Sequence, residues 1–146
     1  MATWTKKTKI GDGGFGVVYS CNRDGDSVLY ALKELQAGSP PEAVERFITE
    51  VRILSSLDHP NIVKVHGKRL NSAPQFYVMP LYNRSLDGDL ATLAGNETRI
   101  QPIFSAILNG VEYAHAQGVI HRDLKPLNVL MNSDMTLLFQ ILGLEE

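Results

Sequence analysis

The stretch His121–Asn128, which reads HRDLKPLN, is the most specific pattern in the chain, and it decides the expected fold. It places an Asp, a Lys and an Asn at positions 123, 125 and 128. When such a loop folds over itself, the carboxylate can accept a hydroxyl proton, the ammonium can neutralise a phosphoryl oxygen, and the amide oxygen can ligate Mg²⁺. Asp123, Lys125 and Asn128 are therefore the candidate catalytic residues, in preference to an ordinary polar surface loop, and Asn128 is the candidate metal ligand.

A glycine-rich segment lies near the start of the chain. Gly11–Gly16 fits the pattern G-x-G-x-x-G, which by itself also fits a plain tight turn. A dinucleotide-binding glycine motif runs from a strand directly into a helix. Here the β-branched pair Val17–Val18 and a turn at Asn22–Asp26 follow instead. The segment thus predicts a flap between two antiparallel strands, whose backbone N–H groups can approach phosphates without Cβ interference.

Lys33 and Glu50 form a second candidate pair. Lys33 alone would be an ordinary lysine at the edge of a strand. On an ideal helix, Glu50 projects beside Phe47, Val51 and Leu54, so its carboxylate lies at the margin of the buried stripe. A carboxylate there needs a cation, because it is costly to desolvate unpaired. We expect Lys33 to supply that cation beneath the glycine flap and to hold its amine toward phosphate oxygens.

The remaining pattern predicts an α+β protein in two lobes, joined near residues 80–82. A strand-rich first part is followed by helices and then by a small hairpin that spans the turn Asn132–Asp134. The five strands of the first part are expected at residues 5–10, 17–20, 28–35, 62–65 and 75–79.

Two capping boxes predict where the helices begin. Ser39 with Glu42 is expected to start the first helix, which ends before residue 59. Thr98 with Gln101 is expected to start a longer helix, with Pro102 in the first turn, where a missing N–H is tolerated.

Composition excludes several classes of protein. The chain has 146 residues, enough for one domain, and its net charge of −2 argues against a nucleic-acid-binding domain. The single cysteine, Cys21, excludes an internal disulfide and a cysteine-based zinc site. No apolar run is long enough to span a membrane, and the first residues lack a signal-peptide core. We therefore expect a soluble, cytoplasmic protein.

The order of these motifs resembles the first half of a eukaryotic-type protein kinase domain, from about Thr5 to Asn128. Lys125, two residues after the Asp, resembles the serine/threonine class rather than the tyrosine class. Four motifs match the family: the glycine-rich loop (Gly11, Gly13, Gly16 and Val18), the lysine strand (Tyr30–Lys33), the helix-C glutamate (Glu50) and the catalytic loop (His121–Asn128).

The resemblance implies a protein-kinase-like bilobal fold, with a five-stranded antiparallel N-lobe sheet, helix C and an incomplete helical C-lobe. It implies a truncated kinase domain over residues 5–146, with the N-lobe at about 5–79, the hinge at 80–82 and a partial C-lobe at 83–146. ATP and Mg²⁺ are the implied cofactors, and a protein substrate or partner kinase is the implied partner.

The resemblance also implies an adenine site. The hinge backbone at Pro80 and Tyr82 would bond the adenine, and Pro80 would supply only its carbonyl, so its missing N–H does no harm. Met79 would be the gatekeeper. The side chains implied around the ring are Ile10, Val18, Ala31, Met79 and Leu130.

The end of the chain departs from the family pattern. Where the family has Asp-Phe-Gly, this sequence has Ile141–Gly143, so the metal-binding Asp is replaced by Ile141. If that loss removes about 4 kcal/mol of transition-state stabilisation, the rate falls roughly a thousandfold. The activation segment is also absent, which predicts an exposed apolar face on the helix at residues 100–111.

Three functions follow from the sequence: an impaired serine/threonine kinase, a nucleotide-binding or scaffolding pseudokinase, or a non-functional fragment.

Overall fold

The computed structural model describes residues 3–13, 16–82, 84–120, 124–131 and 137–139. The chain divides into two compact units. The first is built from residues up to Ser55 together with Lys64–Leu81, and the second from Ser56–Val63 together with the residues from Tyr82 onward. The predicted lobe boundaries stay a prediction.

The first unit is built on a five-stranded antiparallel sheet in the order β1-β2-β3-β5-β4. This arrangement confirms the predicted fold class. The strands are β1 (Trp4–Gly13), β2 (Gly16–Arg23), β3 (Tyr30–Leu35), β4 (Gly67–Arg69) and β5 (Phe76–Pro80).

The register of β3 places the candidate site residues on one face of this sheet. Lys33 pairs with Val18 on one side and with Tyr77 on the other, and Ala31 pairs with Met79. Directly paired residues share a face, and so do alternate residues of one strand. All five residues therefore lie on the same face.

Helix α1 (Pro41–Ser56) packs in the first unit through the predicted apolar stripe, and its Phe47 ring lies 5.9 Å from the ring of Tyr77. The helix begins one residue later than predicted. The Ser39 hydroxyl donates to the Gln36 carbonyl at 2.6 Å, and the Pro40 carbonyl accepts from the N–H of Ala43. The predicted capping box is therefore wrong, because Ser39 closes the preceding turn instead of capping the helix.

The opposite face of the sheet has its own apolar cluster. Cys21, Leu32 and Val78 are almost fully buried there. The partly buried side chains packed against them are Trp4, Tyr19, Tyr30 and Phe76.

The predicted strand at 62–65 is wrong. Ile62 and Val63 are buried, as an apolar run should be, but the strand at this edge, β4, pairs with β5 only from Gly67. A short apolar run does not distinguish a strand from a buried extended segment, and here the ladder begins after the run.

The second unit contains a small antiparallel sheet and two helices. The order of the sheet is β6-β7-β8, and the pairing of its last two strands confirms the predicted hairpin. Its elements are β6 (Arg84–Ser85), α2 (Leu90–Leu93), α3 (Glu97–Ala116), β7 (Val129–Met131) and β8 (Leu137–Phe139).

Helix α3 starts before the predicted capping box. Asn96 is its N-cap, and the Asn96 side chain accepts a hydrogen bond from the N–H of Arg99 at 3.3 Å. The capping box at Thr98 is thus wrong, and Pro102 lies inside the helix. Asn is as good an N-cap as Thr or better, so the earlier residue takes this role.

Helix α3 buries little of its surface among the described residues. Ile103, Gly110 and Ala114 are its buried residues, whereas Phe104 and Leu108 are 59% and 49% exposed. The expected exposed apolar face is therefore present on this helix. None of the helices in the described part of the chain has the length and hydropathy needed to span a membrane.

Candidate nucleotide site

Gly16 lies against the stem of Lys33 at the start of β2. A Cβ added at Gly16 would come 2.9 Å from the Glu34 carbonyl oxygen and 3.3 Å from both Cγ and Cε of Lys33. Carbon atoms do not approach a backbone oxygen that closely without displacement, so the position favours glycine. The last glycine of the flap therefore lies directly beside the candidate lysine.

Lys33 and Glu50 interact electrostatically. Lys33 is half-buried at the centre of the sheet, and Glu50 is half-buried on α1. The charge of each side chain shifts the pKa of the other. No ion pair within 4 Å joins them in the described part of the chain, so the predicted pairing takes the form of a longer-range attraction.

The protonation of both groups reflects this incomplete neutralisation. Burial lowers the pKa of Lys33, and the charge of Glu50 opposes that shift. Burial raises the pKa of Glu50 to about 7, and the charge of Lys33 opposes that shift. Desolvation dominates in both cases, because the mutual attraction is too weak to offset it. An anion beside Lys33 would add the missing stabilisation of its ammonium.

The apolar part of the candidate site lies beside Lys33 on the same sheet face. Ala31 and Met79 are 3% and 6% exposed and are cross-strand partners, and Val18 is half-buried. Ile10 is 50% exposed. Four of the predicted side chains, those of Val18, Ala31, Lys33 and Met79, thus form one continuous surface.

The rest of the glycine loop is only partly described. Gly13 pairs with Gly16 and closes the hairpin between β1 and β2. A Cβ on Gly11 would meet nothing within 4 Å, so Gly11, unlike Gly16, is free of steric constraint.

Tyr77 is a site residue that the sequence reasoning did not identify. It pairs with Lys33 on the same face, is 1% exposed and touches Phe47 of α1. Its ring therefore links the lysine strand to the helix that carries Glu50. The alternation of Tyr77 with Met79 along β5 was the signal that could have found it.

The second unit holds the other predicted residues. Asn128 is 5% exposed and ends a 3₁₀ turn, Pro126–Asn128, in which its N–H donates to the Lys125 carbonyl at 2.9 Å. The Lys125 side chain is exposed, and Leu130 is half-buried in β7. The predicted base Asp123 lies outside the described residues, and so does the Ile141–Gly143 segment.

Tyr82 and Pro80 are the predicted hinge residues. Pro80 ends β5 opposite Tyr30. Burial raises the pKa of the Tyr82 phenol, and its hydroxyl oxygen is buried without a hydrogen-bond partner among the described residues. The predicted role of both residues concerns the backbone, so it does not depend on this hydroxyl.

No group of three or more His, Cys, Asp or Glu side chains that could hold a metal occurs within the described ranges. Asn128, as an amide, falls outside that set of residue types. Its oxygen is a hard donor of the kind that Mg²⁺ accepts.

Comparison with known proteins gives matches over most of the chain. The family model described as "Protein kinase domain" matches residues 4–142. The chain is 32% and 33% identical to two proteins of Arabidopsis thaliana named as probable serine/threonine-protein kinases, over 97% of its length. It is 32% identical over 92% of its length to the mitogen-activated protein kinase sma-5 of Caenorhabditis elegans. It spans about a quarter of the length of these relatives, namely 26%, 21% and 28%.

Proposed function

The chain belongs to the protein kinase domain family, and from that premise we propose that it is an ATP-binding serine/threonine kinase domain whose phosphoryl transfer to protein hydroxyls is impaired by the replacement of the metal-binding Asp with Ile141. The observation that carries the proposal is the arrangement of Gly16, Lys33 and Glu50. A glycine with no room for a Cβ lies beside a half-buried lysine. Desolvation of that lysine is not offset by a direct ion pair in the described part of the chain, so an anionic ligand would stabilise its charge.

The surface beside Lys33 suits a nucleotide base. Ala31, Met79 and Val18 are apolar neighbours of Lys33 on the same sheet face, which supports contact with an adenine ring. The proposed polar contacts of the base are the carbonyl of Pro80 and the backbone of Tyr82, with Ile10 and Leu130 completing the contacts to the ring. Backbone N–H groups of the loop at Gly11, Gly13 and Gly16, together with the Lys33 ammonium, would hold the phosphates.

The residues of the catalytic loop supply the proposed chemistry. Asp123 accepts the proton of the substrate hydroxyl while the hydroxyl oxygen forms a bond to the γ-phosphorus of ATP. At the same time, the bond between the γ-phosphorus and the oxygen that bridges it to the β-phosphate breaks. Lys125 neutralises charge on the transferred phosphoryl group. Asn128 is a hard oxygen donor suited to Mg²⁺, which when bound would neutralise phosphate oxygens.

A pseudokinase is the second candidate function, and the replacement of the metal-binding Asp by Ile141 favours it. Without that carboxylate, Asn128 is the remaining predicted protein ligand for Mg²⁺. In this case the nucleotide site persists, and the domain acts on a partner kinase without transferring phosphate. Both proposals include an intracellular location, where ATP and protein substrates are present.

Thermal unfolding with and without ATP tests the nucleotide site. We expect ATP to raise the melting temperature of the wild-type chain, because a ligand that binds only the folded state stabilises it. Lys33→Met should abolish this rise, whereas Lys7→Met, at an exposed lysine of β1, should leave it unchanged. No rise in the wild-type chain would contradict nucleotide binding and support the non-functional fragment.

Phosphate transfer distinguishes the two candidate functions. We expect ATP binding that is indifferent to Mg²⁺ and no detectable transfer to a generic basic protein substrate, because Ile141 has replaced the carboxylate ligand. Transfer that is abolished by Asp123→Asn would instead establish an active kinase. Retained ATP binding in that variant would show that only the chemical step was lost.

A further inference from the structure

A cavity of about 730 Å³ opens on the first unit, next to β4. The cavity lies around the β4 edge of the sheet, because Arg69 and Phe76 are paired on the face opposite Lys33, whereas Lys68 pairs with Tyr77 on the Lys33 face. None of the residues that line the cavity is a predicted nucleotide-site residue. The cavity is therefore distinct from the candidate nucleotide site. Its lining residues are Thr3, Trp4, Arg52, His66, Gly67, Lys68, Arg69, Leu70, Asn71 and Phe76.

One side of the cavity is an ordered aromatic wall. The Trp4 ring meets the Tyr30 ring edge-on at 5.2 Å, and Tyr30 in turn meets His66 at 5.1 Å. The Trp4 indole lies directly over Gly67, where an added Cβ would come 2.8 Å from its Cε2 atom. Because its neighbours hold it on two sides, Trp4 offers a fixed apolar surface to an incoming side chain.

The other side of the cavity is basic. Four of its lining side chains, Arg52, His66, Lys68 and Arg69, are basic types, and none of the lining residues is an Asp or a Glu. Arg69 is held in place by two hydrogen bonds from Nε and Nη2 to the Pro74 carbonyl, at 3.1 and 2.9 Å, and its guanidinium lies 5.0 Å from the centre of the Phe76 ring. This orientation leaves further donors of Arg69 free to bind an anion.

The positive charge of this region is not balanced internally. Arg52 and Lys68 are exposed and form neither an ion pair nor a side-chain hydrogen bond with any described residue. Burial, and then the charges of Lys64 and Arg23, lower the pKa of His66, which favours its neutral form. The excess positive charge therefore comes from the arginine and lysine side chains. The chain as a whole carries a net charge of −2, so this local excess of positive charge runs against its average composition.

We propose that this cavity is a docking site for an acidic peptide segment of a partner protein. An aromatic or aliphatic side chain of the segment packs against Trp4 and Phe76, and flanking carboxylates or phosphates bind Arg52, Lys68 and Arg69. The volume suits one or two side chains of a peptide. The apolar wall distinguishes this site from one for a free inorganic anion, which would gain nothing from the aromatic rings. The inference does not depend on the proposed nucleotide site.

Trp4 makes the proposal directly measurable, because it is the single tryptophan of the chain and lies in the wall of the cavity. The probe is a short synthetic peptide with one phenylalanine flanked by glutamates, titrated against the wild-type chain while tryptophan fluorescence is recorded. Two matched peptides replace the phenylalanine by alanine or the glutamates by lysines. We expect saturable binding of the first peptide, at least tenfold weaker binding of the alanine peptide, and no binding of the lysine peptide.

Variants of the chain test the assignment of the charges. The double substitution Arg52→Glu with Lys68→Glu should weaken binding of the acidic peptide at least tenfold, whereas Lys7→Glu, a single charge reversal at an exposed lysine outside the cavity, should not weaken it. Circular dichroism checks that both variants fold. If the double variant does not fold, the single variant Lys68→Gln takes its place, with a threefold or greater loss expected.

Three outcomes would overturn the proposal. The first is absence of saturable binding by the acidic phenylalanine peptide, and the second is equal binding by the lysine peptide. The third is preferential binding of another polyanion: if anionic lipid vesicles or a single-stranded oligonucleotide bind while the peptide does not, the basic cluster serves a different partner. ATP added at saturation should leave peptide affinity within a factor of two, which separates this site from the nucleotide site.

Discussion

Helices α1 and α3 carry apolar residues at similar helical spacing, yet they bury them to very different extents. The shorter helix, α1, buries Ala43, Phe47, Val51, Ile53 and Leu54. The longer helix, α3, has only three buried residues among those described, and two of them are Gly110 and Ala114.

The difference lies in what each helix packs against. Helix α1 has the five-stranded sheet of its own unit beside it, as the contact between Phe47 and Tyr77 illustrates. Helix α3 exposes Ile100, Phe104 and Leu108, which follow one another at intervals of four residues and so form one stripe. Periodicity thus identifies an apolar stripe in both helices, but it does not say whether the stripe is covered.

The largest expected effect is on the covered stripe. Leu54→Ala should lower the free energy of unfolding by about 2–5 kcal/mol, because Leu54 is 1% exposed and its removal leaves a cavity. Leu108→Ala, at a residue 49% exposed, should lower it by less than about 1 kcal/mol. Urea denaturation followed by circular dichroism measures both. Equal losses in the two variants would show that the helices are equally packed.

The next effect concerns the charge that α1 carries at the margin of its stripe. The pKa of Glu50 is raised from 4.5 to about 7 in the folded chain, so the folded state holds the proton more tightly than the unfolded state. Its contribution to stability is complete below pH 4.5 and is lost as the pH rises through 7. The loss amounts to at most about 3 kcal/mol.

Glu50→Gln should therefore flatten the dependence of stability on pH between pH 4.5 and 8. Glu45→Gln, at an exposed position of the same helix, should keep the wild-type slope. Lys33 acts in the opposite direction: its pKa is lowered, so its contribution is complete above pH 10.5 and is lost as the pH falls. Denaturation curves at a series of pH values measure these slopes, and an unchanged slope in Glu50→Gln would refute the assignment.

A smaller effect separates two glycines of the flap in the same unit. Gly16→Ala should destabilise the chain by about 1–3 kcal/mol and weaken ATP binding, because the new Cβ meets the Glu34 carbonyl at 2.9 Å. Gly11→Ala has open space around it and should change stability by less than about 0.5 kcal/mol. Thermal unfolding with and without ATP compares the two. Equal tolerance of both substitutions would show that the flap moves away from Lys33.

The smallest effect on stability is expected on the exposed stripe of α3. Phe104→Ser should change the free energy of unfolding by less than about 0.5 kcal/mol, because Phe104 is 59% exposed. It should nevertheless raise the concentration at which the chain begins to aggregate, since it breaks up an exposed apolar surface. Light scattering over a concentration series measures this onset. A marked loss of stability would show that Phe104 is packed.

Much of the fold could be predicted from sequence because its signals are local. Alternation placed Ala31 and Lys33 on one face of a strand, and helical spacing placed Glu50 beside the stripe of α1. The errors arose where local signals compete. Ser39 and Thr98 both looked like N-caps, but Ser39 is used by the preceding turn and Asn96 already caps α3. Residues 62–65 looked like a strand because apolar character alone does not specify ladder pairing.

The sequence by itself determined the family, the five-stranded antiparallel sheet and the residue types of the nucleotide site, because motif spacing and periodicity are properties of neighbouring residues. Only the tertiary structure decided that Lys33 and Glu50 attract each other without forming a close ion pair among the described residues, since that depends on how α1 is set against the sheet. The same holds for the cavity at β4. Trp4, Arg52 and Phe76 are far apart in sequence, and strand register and helix packing bring them together.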